Sequence, residues 1–118
     1  MSTDFTMTRG DTVNLAAVVT QNGLPYPLTG CQMWFTAKNY YTDPDASAVF
    51  QHTIGSGITI IDATKGWAQL VVSPADTAPL PASKTLLVWD LEIVDSSGNV
   101  FTAASGSILV TPDVTITT

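Results

Sequence analysis

The stretch Thr85-Leu-Leu-Val-Trp-Asp-Leu-Glu-Ile-Val94 decides the fold. Leu87, Trp89, Leu91 and Ile93 take every second position, with Asp90 and Glu92 between them. An extended chain sends successive side chains to opposite faces, so this stretch is apolar on one side and wet on the other. The same period appears on either side of it. In residues 12–20, Val13, Leu15, Ala17 and Val19 alternate with Asn14, Ala16, Val18 and Thr20. In residues 31–38, Met33, Phe35 and Ala37 alternate with Gln32, Trp34, Thr36 and Lys38. Threonine, valine and isoleucine are frequent, which suits strands.

Shorter strands are expected at 4–8, 48–54, 58–62, 67–73, 100–104, 107–110 and 114–117. Turn residues separate them. Asn22-Gly23 tolerates the positive φ angles of a hairpin turn. Pro25 and Pro27 keep 24–30 extended along an edge, because proline cannot donate to a ladder. Residues 39–47 read as a long polar loop with two exposed tyrosines, and Gly55-Ser56-Gly57 as a bulge or bend. Residues 62–66 and 95–99 read as tight turns. Ser73-Pro74-Ala75-Asp76 predicts one capped helical turn, with proline where no N–H is needed and a carboxylate at the positive end of the dipole. Eight or nine short strands with one helical turn near 74–79 predict an all-β, immunoglobulin-like antiparallel β-sandwich spanning 1–118 as a single domain. A closed barrel is the second choice.

The chain of 118 residues is 45% hydrophobic and only 12% charged, which excludes a disordered chain. Four basic residues against ten acidic ones leave a net charge of −6, and that excludes an electrostatic footprint for nucleic acid. One cysteine and one histidine exclude an internal disulfide and a zinc site of His/Cys type. No apolar run reaches the length of a membrane span, and the N-terminal residues carry no signal-peptide pattern. The expectation is a chain made in the cytoplasm.

Catalytic constellations are few. Ile54-Gly-Ser-Gly-Ile58 lacks the spacing of a nucleophile elbow. His52 lies on a predicted strand with no evident nucleophile, so it reads as structural or solvent-facing. Cys31 has no basic neighbour to lower its pKa and reads as a small core residue. Asp90 and Glu92 project from one face about 7 Å apart, which reads as a solvated strand face and, with partners from another strand, as a hydrolase pair. Asp43-Pro44-Asp45 lacks the spacing of a calcium loop. The reading is a protein that is not an enzyme, with no catalytic, cofactor or metal residues. What remains is surface. A mean hydropathy of +0.25 with so few charges implies surface buried against other polypeptides. Trp34 and Trp67 are out of phase with their inward neighbours and, with the tyrosines, could stack on sugars or fill a protein interface. Candidate interface residues are Phe5, Met7, Trp34, Tyr40, Tyr41 and Trp67.

The order of features is also familiar. Phe5-x-Met7-x-Arg9-Gly10-Asp11-Thr12 is followed by Gly23-x-Pro25-x-Pro27-Leu28-Thr29-Gly30 and a strand ending Ala37-Lys38. Then come Gly66, Ser73-Pro74-Ala75-Asp76-Thr77, Val88-Trp89-Asp90-Leu91, Asp95-Ser-Ser-Gly98, Gly106-x-Ile108-x-Val110 and Asp113-Val114-Thr115. Over nearly its whole length the chain resembles the small immunoglobulin-like β-sandwich domains of tailed-bacteriophage virion proteins. It is similar above all to the N-terminal domain of upper baseplate proteins and to collar or tail-fibre connectors. The resemblance implies a structural, homo-oligomeric tail, collar or baseplate component located in the virion and assembled in the host bacterial cytoplasm. Its partners would be other phage structural proteins and itself, without nucleic acid or membrane insertion. Upper baseplate proteins carry further domains, so a unit of this size fits a connector or adaptor better. A carbohydrate-binding module, with glycans as partners, is the alternative. Arg9-Gly10-Asp11 is expected to be a strand-crossing corner, in preference to an integrin-type motif.

Overall fold

The computed structural model describes residues 4–81 and 83–114. In chain order the strands are β1 (Phe5–Thr8), β2 (Val13–Val18), β3 (Thr20–Gln21), β4 (Leu24–Pro25), β5 (Gln32–Lys38), β6 (Phe50–Ile54), β7 (Gly57–Asp62), β8 (Trp67–Val72), β9 (Thr85–Val94) and β10 (Val100–Thr111). One helical turn, α1 (Pro74–Thr77), joins β8 to the segment before β9. The fold is all-β and immunoglobulin-like. Eight strands are hydrogen-bonded in the order β1-β10-β9-β5-β6-β7-β8-β2, and β3 pairs with β4. The ladder is almost continuous but folds over at β6 and β7, which share only two residue pairs. One layer is therefore β1-β10-β9-β5-β6 and the other β7-β8-β2.

The alternation read from sequence is what fills the space between the layers. Met33, Phe35 and Ala37 of β5 are buried, as are Leu87, Trp89, Leu91 and Ile93 of β9. Ala68, Leu70 and Val72 of β8 and Ile58 of β7 close the core from the opposite layer. Phe35 is its centre, meeting Phe50 and Trp89 edge-on with centroids 5.1 and 5.5 Å apart. Such geometry aligns the positive edge of one ring with the negative face of another.

The structure departs from the sequence reading in three places. Residues 100–104 and 107–110, expected as two strands, form one twelve-residue strand. The apparent break at Ser105-Gly106 disappears because β9 supplies partners throughout, with a register shift between Thr102 and Ala104 taking up one extra residue. Second, the sandwich is not wholly antiparallel: β1 runs parallel to β10, and β6 to β7. The first pair brings together segments from opposite ends of the sequence, and the second flanks the short Gly55-Ser56 connection between the layers. Third, the strand expected over 12–20 is interrupted at Val19. Residues 20–21 and 24–25 form a separate two-residue hairpin around the Asn22-Gly23 turn, with φ of 54° and 78°, which brings the strands among the described residues to ten. The strand expected at 114–117 falls, apart from exposed Val114, outside the described residues.

Candidate functional site

The outer face of the larger layer follows from register. Thr102, Glu92, Trp34 and Thr53 stand side by side across β10, β9, β5 and β6. The next row is Ser105, Asp90, Thr36 and Gln51. In a strand ladder such cross-strand neighbours lie about 5 Å apart. These rows, Thr53 apart, floor a groove of about 550 Å³, with Val88 and Lys38 beyond them and Tyr41 and Asp45 on the loop beside it. Its wall is the 39–49 loop. Lys38 holds that loop down by donating from Nζ to the Asp43 carbonyl at 2.8 Å and pairing with Asp45 at 2.7 Å. Asp43 Oδ2 in turn accepts the Tyr40 backbone N–H at 3.2 Å. Gln51 Nε2 donates to Thr36 Oγ1 at 3.1 Å, which fixes the amide on the floor.

Charge in the groove is uneven. Lys38 and Asp45 cancel, and the Lys38 contact holds the Asp45 carboxyl below its ordinary value. Burial pushes the Asp90 carboxyl up, against the attraction of Lys38. Asp90 and Glu92 thus leave the floor acidic and rich in hydrogen-bond acceptors, with Trp34 among them and Tyr41 on the wall.

A second surface lies on the outside of the smaller layer. Val18 is opposite Trp67 in register, and Trp67 is opposite Asp62 across the irregularity that throws out Ile61. Val18 is 60% exposed, Trp67 42% and Ile61 44%, with exposed Leu24 on the nearby hairpin. They form an apolar strip on a sheet face, where water gains nothing by covering them.

The expected interface residues therefore divide. Tyr40 and Tyr41 are 70% and 80% exposed. Trp67 belongs to the apolar strip and half-buried Trp34 to the groove floor. Phe5 and Met7 correct the expectation. Met7 is 5% exposed and lies in the core, and half-buried Phe5 packs on that core with its ring edge to Trp89. Both occupy inward positions of β1, so that strand offers outsiders its edge and not these side chains. Thr36, Gln51, Thr102 and Ser105 were not singled out by sequence reasoning. Their only signal is that they are polar and out of phase with the core positions.

His52 and Cys31, screened above for catalysis, have structural occupations. His52 Nε2 lies 2.7 Å from Asp76 Oδ2, and the same oxygen accepts the Ser73 N–H at 2.7 Å. The imidazole also stacks on Phe50 with centroids 4.9 Å apart. His52 thus ties β6 to the capped start of α1. Cys31 is half-buried against the core, and burial followed by the nearby Asp95 charge pushes its thiol up, away from the nucleophilic thiolate. Arg9-Gly10-Asp11 is a corner between layers. Arg9 donates from Nε and Nη2 to the Ala78 carbonyl at 3.2 and 2.8 Å and from Nη1 to Asp113 at 3.0 Å. Gly10 N–H donates to the buried Thr77 hydroxyl at 2.8 Å. A guanidinium occupied in this way is not presented to a receptor. No protein-family model matches this sequence, and no curated protein matches it.

Proposed function

We propose that this chain is a structural, non-enzymatic subunit of a bacteriophage or prophage tail, collar or baseplate. It works as a homo-oligomeric connector that holds neighbouring virion proteins. The observation that carries the proposal is the exposed Val18–Trp67–Ile61 strip on the outer face of the smaller layer. Large apolar side chains aligned across adjacent strands raise the free energy when exposed to water, and covering them with a partner lowers it by roughly 25 cal/mol per Å². A sheet loses little conformational entropy on docking, because its backbone is already ordered. The sequence resemblance to phage sandwich domains supports the virion setting. Occupation of His52, Cys31 and Arg9 by structural contacts supports a packing role.

Native mass spectrometry and light scattering test the proposal. The expected result is a discrete oligomer that dissociates in the double variant Val18→Glu, Trp67→Glu, with unchanged far-UV circular dichroism. A wild-type chain that stays monomeric at high concentration and joins no assembly when co-expressed with tail proteins would overturn it.

A further inference from the structure

We infer that the groove across β10, β9, β5 and β6 binds a neutral oligosaccharide. The inference goes beyond a connector role and does not rest on it, since the groove and the apolar strip lie on different layers.

Three features point to this ligand class. The first is the pairing of an aromatic platform with a polar floor. A pyranose ring has an apolar C–H face, which suits an indole such as Trp34, and a rim of hydroxyls. Second, the floor matches that rim. Asp90 and Glu92 accept hydrogen bonds from hydroxyls, and charge-assisted bonds of this kind are the stronger ones. The hydroxyls of Thr102 and Ser105 both donate and accept, so they can pair with whichever hydroxyl the sugar presents. Third, the dimensions fit an oligomer. The volume of about 550 Å³ falls within the ~300–1,000 Å³ typical of ligand sites. Three strand spacings of ~4.8 Å from β10 to β6 give a floor about 14 Å long, which is longer than one sugar ring.

Charge sets the specificity. Lys38 is engaged by Asp45 and the Asp43 carbonyl, so it is not offered to a ligand anion. The remaining carboxylates on the floor repel phosphate, sulfate and sialic or uronic acids at close range. A sugar without acidic groups meets no such penalty. Tyr41, beside the groove on a loop pinned by Lys38, is placed to close over a second ring.

The test is titration of the intact chain with chitohexaose, maltohexaose and a β-galactan hexamer, with 3′-sialyllactose as the acidic control. Binding is read by calorimetry and tryptophan emission, and a glycan array extends the panel. At least one neutral oligosaccharide should bind in the micromolar to millimolar range, while sialyllactose does not. Trp34→Ala should weaken binding about tenfold or more, the equivalent of roughly 1.4 kcal/mol. Glu92→Gln, on the solvent side of the sheet, provides a second variant if Trp34→Ala fails to fold, and it too should weaken binding. Trp67→Ala, on the opposite layer, should leave it unchanged. Silence across the array overturns the inference, as does preference for acidic glycans or binding insensitive to both groove variants.

Discussion

At the scale of single residues, Arg9 shows how one side chain can fix a crossing between layers. Its guanidinium reaches the end of α1 and the segment after β10 together, and both members of the Arg9–Asp113 pair are largely shielded from water. Arg9→Ala should cost roughly 2–3 kcal/mol in urea denaturation, with the m-value unchanged, because it leaves a carbonyl and a carboxylate short of a partner. Arg9→Lys should recover less than half of that, since an ammonium cannot reproduce the planar fork. Carboxylates set the acid limit. Hydrogen bonds from Lys38, Thr64 and Asn99 lower Asp45, Asp62 and Asp95, respectively, from 3.8. A lowered folded-state pKa gives stability that is present above the unfolded value and lost as pH falls through the folded one. Asp90 is raised by burial and has the opposite sign, disfavouring the fold once pH rises past its folded pKa. Thermal melts should therefore be flat from pH 7 to about 5 and fall below about 4. Asp90→Asn should raise Tm at pH 7 and lose that advantage near pH 3.

At the scale of elements, the crossing from β6 to β7 is a tight point of the fold. Gly57 has a φ of 99°, and a β-carbon there would collide with the His52 ring. Gly57→Ala should destabilise by at least ~2 kcal/mol, combining backbone strain with that collision. A double-mutant cycle with His52→Ala should show partial coupling, since removal of the ring takes away its contacts and leaves both the backbone strain and the close approach to the residue 52 β-carbon. The helical turn was legible for a local reason: Ser73, Pro74 and Asp76 each satisfy a requirement of a helix start within four residues. The pairing of Asp76 with His52, 24 residues away, was not. β10 shows the reverse error. Ser105-Gly106 has the composition of a turn, yet partner strand β9 supplies the hydrogen bonds that keep it extended.

At the scale of the whole molecule, one nearly continuous ladder is folded into two layers with different exteriors. The larger layer carries a polar groove with an aromatic wall, and the smaller carries an apolar strip. A sandwich can bear both because its interior uses only alternate residues, leaving the other half of every strand free to vary. The all-β class, the inward set of β5, β8 and β9, the Asn22-Gly23 hairpin and the capped turn were all written in local order. Each depends on period or on chemistry within a few residues. Which strands lie side by side depends on contacts between distant segments, and so did everything built on that order. Asp90 and Glu92 read locally as a solvated face, and Trp34 as an isolated aromatic out of phase. Register alone set them in neighbouring rows with Gln51, Thr36, Thr102 and Ser105. Met7 and Phe5 turned inward for the same reason: β1 lies beside β10, over the core that Trp89 helps to fill. Alternation along a strand determines that two faces exist; only the packing of layers decides which face meets the interior and which residues become neighbours on the other.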